Sequence, residues 1–80
     1  MNEENLRRLV AEILAGIAPE ADLGGVSASA DLRLALDLDS MDFLNLVVGL
    51  HEHTGLDIPE ADYPRLFTLA GMQAYFAQIP

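Results

Sequence analysis

Residues 36–55 read LDLDSMDFLNLVVGLHEHTG, and this stretch decides the fold because it contains the clearest helix signal in the chain. Asp39 or Ser40 can cap the start of the helix, since a short side chain with an oxygen atom accepts a hydrogen bond from an otherwise unpaired backbone N–H. Gly55 supplies a typical C-terminal stop directly after Thr54. We therefore predict a central helix from about residue 40 to Thr54.

The apolar residues of this central helix fall into two groups when they are placed at 100° intervals. One group must face the core, and it consists of Phe43, Leu46, Val47 and Leu50. Met41, Leu44 and Val48 lie on the opposite side or along its boundary, where polar and acidic residues surround them. An apolar strip with an acidic rim is typical of a docking face. A helix that is buried on most sides is the alternative.

The rest of the chain predicts three more helices and no strand. Apolar spacing indicates a first helix from about residue 3 to 18, and the many helix breakers in residues 19–39 indicate a long connection. Pro59–Leu66 can form a short helix interrupted near Pro64, and Thr68 can cap a last helix that ends before Pro80. One face of that last helix carries Leu69, Met72, Tyr75 and Phe76. We expect an all-α fold, a small four-helix bundle with three main helices and a short third one.

Size and charge restrict the function. Eighty residues predict a single domain over residues 1–80, too small to enclose a pocket with its own catalytic machinery, so we do not expect an enzyme. Four arginines against thirteen acidic residues give a formal charge of −9, which repels nucleic acid and favours partners with basic surfaces. The N-terminus opens acidic and has no long apolar run, so we expect no signal peptide and no membrane insertion. A cytoplasmic monomer is the expectation.

The chain offers no arrangement for metal or nucleophilic chemistry. It has no cysteine, which excludes a disulfide or a thiolate metal site. His51 and His53 are two residues apart on a helix and point in different directions, so we expect no metal site. His51 also lies roughly 16 Å along the helix from Ser40, too far to activate that hydroxyl. The acidic run 37–42 lacks the glycine that a calcium loop has at its sixth position.

The sequence Asp39-Ser40-Met41 at the start of the central helix resembles the Asp-Ser-Leu attachment motif of the carrier-protein family. The similarity extends over nearly all of the chain, through the first helix, the long loop, the turn at Ile58-Pro59 and the entry to the last helix at residues 67–69. The resemblance implies an acyl carrier protein whose Ser40 receives a phosphopantetheine arm from coenzyme A through a phosphopantetheinyl transferase. The thiol of the arm then holds acyl groups as thioesters. The alternative is that Ser40 serves only as the cap of the central helix.

The resemblance also implies a partner surface around Ser40 that contacts the transferase and the acyl-loading and acyl-transferring enzymes. We expect this surface to consist of Asp37, Asp39, Met41, Asp42, Leu44, Asn45, Val48 and Glu52. The central helix is less acidic than in typical carriers of fatty acid biosynthesis, which favours a specialised lipid or polyketide-type pathway. A carrier of aminoacyl or peptidyl groups, or an unmodified docking module with the same fold, is the alternative.

Two residues depart from the family pattern. Asp37 stands where many fatty-acid carriers have glycine, and Met41 replaces the leucine of the motif. We expect neither change to prevent modification of Ser40.

Overall fold

The computed structural model describes residues 1–78. Within these residues the regular secondary structure is entirely helical, and turns and loops connect the helices. They form α1 (Glu3–Ala15), α2 (Leu32–Ala35), α3 (Ser40–Thr54), a 3₁₀ helix (Glu60–Leu66) and α4 (Leu69–Ala77). The predicted all-α fold with three main helices is confirmed. The short third helix of the prediction is the 3₁₀ helix, with Pro64 inside it. The expected limit at Pro80 lies outside the described residues, and α4 already ends at Ala77.

The structure corrects the prediction for residues 3–39 in two places. α1 ends at Ala15 instead of about residue 18, because the Gly16 N–H bonds to the carbonyl of Ile13 at 3.1 Å and closes the helix with a tighter turn. α2 lies inside the segment that was predicted to be one long connection. Asp31 caps it by accepting a hydrogen bond from the backbone N–H of Arg33 at 2.9 Å. Four residues are too few to produce a helical periodicity in the sequence.

The core lies between α1, α3 and α4, and the predicted inner faces of α3 and α4 are confirmed as buried. The largest contributions come from Leu6, Val10, Ile13 and Leu14 of α1, from Phe43, Leu46, Val47 and Leu50 of α3, and from Leu69, Met72, Tyr75 and Phe76 of α4. α1 and α3 approach closely at Gly49, where a Cβ atom would meet Cγ2 of Ile13 at 2.6 Å. Such close packing leaves little room to enlarge side chains at this contact.

The long segment between α1 and α3 is held against the bundle by polar contacts. Nη2 of Arg7 donates to the carbonyl of Val26 at 2.8 Å. The backbone N–H of Leu32 donates to the carbonyl of Phe67 at 2.8 Å, which attaches the start of α2 to the entrance of α4. These contacts fix α2 beside the 3₁₀–α4 corner of the bundle.

Tyr75 attaches the 3₁₀ helix to α4. Its hydroxyl donates to Oδ2 of Asp62 at 2.8 Å, and the guanidinium of Arg65 lies 4.8 Å from its ring centroid. The hydrogen bond to Asp62, together with burial, raises the pKa of Tyr75 above its ordinary value. The contact therefore favours the neutral phenol and holds the 3₁₀ helix in place.

Gly71 is required where α4 passes the end of the 3₁₀ helix. A Cβ atom at this position would collide with the carbonyl oxygen of Arg65, which belongs to the backbone and cannot rotate away. We predict that Gly71→Ala lowers the free energy of unfolding by about 1–3 kcal/mol, although alanine is the better helix former. Urea denaturation measures the change.

Gly25→Ala is the matched control, because a Cβ atom there would have no neighbour within 4 Å. It should leave the free energy of unfolding unchanged or raise it by up to about 1 kcal/mol. Equal stabilities of the Gly71→Ala protein and the wild type would contradict the close packing of α4 on the 3₁₀ helix.

Candidate functional site

Ser40 is the first residue of α3 and is exposed. The preceding residue caps the helix: Asp39 accepts a hydrogen bond from the Asp42 N–H at 2.8 Å, and the Asp42 carboxylate accepts one from the Asp39 N–H at 3.3 Å. This capping box decides between the two caps that the sequence allowed. In residues 1–78 no hydrogen bond engages the Ser40 hydroxyl, so the interpretation of Ser40 as a simple cap is wrong.

The start of α3 has the chemistry to hold a phosphodiester attached to Ser40. The first N–H groups of an α-helix lack partners within the helix, and the dipole makes this end positive. The cap satisfies the N–H of Asp42, whereas the N–H groups of Ser40 and Met41 have no acceptor within the described residues. An anion bonded to the Ser40 oxygen therefore meets free donors.

Asp37 adopts the left-handed backbone conformation with φ of 53°. It lies two residues after the end of α2, and the N–H of the next residue, Leu38, bonds to the carbonyl of Arg33 at 2.9 Å. This conformation favours glycine, and aspartate is among the few other residues that tolerate it. The physical demand on this position explains why Asp37 can stand where many fatty-acid carriers have glycine.

We predict that Asp37→Ala lowers the free energy of unfolding by about 1 kcal/mol, because alanine tolerates the left-handed conformation less well than aspartate does. Asp37→Gly should match or exceed the stability of the wild type. Thermal and urea denaturation measure both. Glu20→Ala, at an exposed acid with ordinary φ, is the control and should change little. A loss in the Glu20 variant as large as that in the Asp37 variant would contradict backbone strain as the cause.

The outer side of α3 carries exposed apolar side chains. Met41 is 61% exposed, Leu44 37% and Val48 44%, so the alternative of a helix buried on most sides is wrong. Asn45 and Glu52 are also exposed on this helix. We call Met41, Leu44 and Val48 the docking face.

Leu34 is an exposed apolar residue that the sequence analysis missed. It lies on α2 and is 82% exposed, whereas Leu32 on the same short helix is fully buried. The sequence could not separate these two leucines because α2 has only four residues. Leu34 thus adds an exposed apolar side chain in the segment before Ser40.

An open groove of about 410 Å³ lies beside Ser40, and we call it the Ser40 groove. Besides Ser40 and Leu44, its lining consists of Arg33, Phe43, Glu60, Tyr63, Pro64 and Phe67. The rings of Tyr63 and Phe67 contact the Phe43 ring edge to face, with centroid distances of 6.4 and 5.2 Å. The groove thus combines an aromatic wall with two charged residues, Arg33 and Glu60. The sequence alone did not predict that these residues lie together.

Arg33 is held in this groove by two neighbours. Its Nε and Nη2 donate to the two carboxylate oxygens of Asp31 at 3.1 and 2.7 Å, and its guanidinium carbon lies 3.5 Å from the centroid of the Phe67 ring. The hydrogen bond from Arg33 holds the pKa of Asp31 below its ordinary value. Both contacts restrict the position of the Arg33 side chain at the edge of the groove.

Other functional sites find no support in the described residues. Residues 1–78 contain no group of three or more histidine, cysteine, aspartate or glutamate side chains that could hold a metal ion. None of the described helices has the length and the apolar character that crossing a membrane requires. Nδ1 of His51 lies 2.6 Å from the carbonyl oxygen of Leu56, at the opposite end of α3 from Ser40. His51 is thus too far along α3 to act as a base for the Ser40 hydroxyl.

A family model described as "Phosphopantetheine attachment site" matches residues 4–75, which include the whole capped start of α3. The chain belongs to the phosphopantetheine-binding carrier-protein family. It is similar to polyketide-8 synthase acyl carrier protein 2 of Streptomyces avermitilis, with 32% identity over 71 residues, which are 89% of this chain and 76% of that protein. The chain is therefore an acyl carrier protein that holds phosphopantetheine covalently and acts together with partner enzymes.

Proposed function

We propose that this acyl carrier protein bears its phosphopantetheine on Ser40 and delivers acyl groups to the enzymes of a polyketide-type pathway. The observation that carries the proposal is the position of Ser40 at the tip of α3, exposed and with its hydroxyl uncommitted because Asp39 caps the helix. The other two serines, Ser27 and Ser29, lie in the loop before α2. Their hydroxyl oxygens are 3.0 Å apart and share a hydrogen bond.

The attachment reaction needs a partner that supplies a base. The Ser40 oxygen forms a bond to the phosphorus atom next to the pantetheine of coenzyme A, and the bond from that phosphorus to the nucleotide half breaks. The proton of the hydroxyl passes to a base of the phosphopantetheinyl transferase. Once attached, the arm would supply a thiol that can hold an acyl group as a thioester. The carrier itself makes and breaks no other bond.

The polyketide assignment rests on two features. The similar Streptomyces avermitilis protein is a carrier of a polyketide synthase. The outer side of α3 also carries Asn45 and the apolar docking face, and this makes it less acidic than in typical carriers of fatty acid biosynthesis. Both features favour a specialised pathway.

We predict that the wild type, incubated with coenzyme A and a transferase of broad specificity, gains the mass of one phosphopantetheine. Ser40→Ala should gain none and should keep its free energy of unfolding within about 0.5 kcal/mol, because the helix cap is on Asp39. Intact-mass spectrometry and urea denaturation measure the two results.

Ser29→Ala is the control for this experiment and should accept the arm like the wild type. A wild-type chain that takes no arm would be an unmodified docking module. A Ser40→Ala chain that still gains the mass would place the attachment on another residue.

We further propose that the docking face, together with Leu34, contacts apolar pockets on the partner enzymes. Asp37, Asp39, Asp42 and Glu52 would surround this contact and attract basic residues. Exposed complementary charges accelerate encounter and are weakened by salt. The partners we infer are the phosphopantetheinyl transferase and the acyl-loading and acyl-transferring enzymes.

The structure limits how these charges can be tested, because Asp39 and Asp42 also form the cap. Asp39→Asn removes one charge and retains an oxygen that caps almost equally well. We predict that this variant unfolds like the wild type and that the KM of the transferase for it rises about two- to five-fold, the range of one exposed charge pair. The rise should shrink as salt is added.

Glu12→Gln is the matched control, since it removes one charge from the exposed side of α1. Its KM should equal that of the wild type. An equal rise of KM in both variants would mean that only the net charge matters, and it would contradict a local docking role for Asp39.

A further inference from the structure

The position of Arg33 is unusual for this strongly acidic chain. Within the described residues, Arg33 is the cation that lines the Ser40 groove. Its Nε and Nη2 are used by Asp31, whereas Nη1 makes no hydrogen bond within residues 1–78. The guanidinium thus keeps a free donor edge in the groove that Ser40 also lines.

Such a cation would offset the negative charge around a phosphodiester on Ser40. Asp37, Asp39, Asp42 and Glu60 lie around the start of α3 or in the groove, and each repels a negatively charged arm. Guanidinium binds phosphate oxygens through directed N–H donors and stays charged at every relevant pH. Phe67 beneath the guanidinium and Asp31 beside it fix the side chain, so little entropy is lost when the phosphate binds.

The other residues that line the Ser40 groove match the chemistry of the arm beyond its phosphate. Beyond its phosphate, phosphopantetheine carries two geminal methyl groups and a hydroxyl, then two amides and the thiol. The aromatic wall of Phe43, Tyr63 and Phe67 offers apolar contact for the methyl groups. The Glu60 carboxylate can accept from an amide N–H, and the Tyr63 hydroxyl can donate to an amide carbonyl.

We propose that the arm rests in the Ser40 groove and that Arg33 is the positioning residue that retains it there through the phosphodiester. This inference rests on the proposed attachment at Ser40. The resting arm keeps its thiol close to the carrier, and a partner enzyme that binds the docking face draws the arm out.

Variants at the two residues of the Arg33–Asp31 ion pair distinguish a role of Arg33 in retaining the arm from a purely structural role. Arg33→Gln removes the cation, whereas Asp31→Asn breaks the same pair but keeps the cation and a capping oxygen for α2. Each carrier is loaded with phosphopantetheine from coenzyme A, and loading is verified by intact mass. The measured quantity is the rate at which a bulky maleimide alkylates the arm thiol.

We expect alkylation of the Arg33→Gln carrier to be about two- to five-fold faster than that of the wild type, the range for one partly exposed charge contact. The Asp31→Asn carrier should react at the wild-type rate or more slowly, because its guanidinium is free to bind the phosphate. NMR cross-relaxation between the arm methyl groups and the Phe67 ring should be present in the wild type and Asp31→Asn and reduced in Arg33→Gln.

Equal alkylation rates in all three carriers would overturn the inference. Equal acceleration in both variants would overturn it too, because it would trace the effect to α2 and not to the cation. A wild-type chain that gains no arm in the loading step would instead refute the attachment at Ser40, so the two failures are distinguishable.

Discussion

The reciprocal hydrogen bonds between Asp39 and Asp42 decide where α3 begins, and the functional arrangement depends on that start. Because Asp39 supplies the cap, Ser40 becomes the first helical residue and keeps its hydroxyl free. Phe43 lies one turn further along and is buried in the core. A single turn of helix therefore joins the exposed hydroxyl to the packed interior, and Ser40 is held on a rigid element and not on a loop.

The distribution of charge follows from how the arginines are used. Arg7 holds the long loop through backbone carbonyls, Arg33 pairs with Asp31, and Arg65 lies over Tyr75. Arg8 pairs with Glu4 at 3.5 Å. Each arginine thus makes at least one contact within the chain, whereas the acids outnumber the arginines by nine and remain mostly on the surface. The result is an acidic exterior around the exposed apolar side chains of α3, a combination that favours fast encounter with proteins that have basic surfaces.

Periodicity predicted the parts of the fold that depend on long amphipathic helices. It identified α1, α3 and α4, with the buried stripes of α3 and α4, because helices of nine residues or more repeat their apolar positions. It missed α2 and could not choose between Asp39 and Ser40 as the cap, since both residue types cap equally well. The Ser40 groove also escaped prediction, because Arg33, Phe43 and Tyr63 come from three separate elements. The importance of Ser40 came from the family resemblance.

Residue-resolved amide hydrogen exchange at Asp42 tests the central claim most directly, because this N–H is the donor that the cap engages. The account predicts that the Asp42 amide is protected in the wild type, stays protected in Ser40→Ala and loses protection in Asp39→Ala. Loss of protection in Ser40→Ala with none in Asp39→Ala would show that the Ser40 hydroxyl is the cap. That result would contradict a free hydroxyl at the tip of α3.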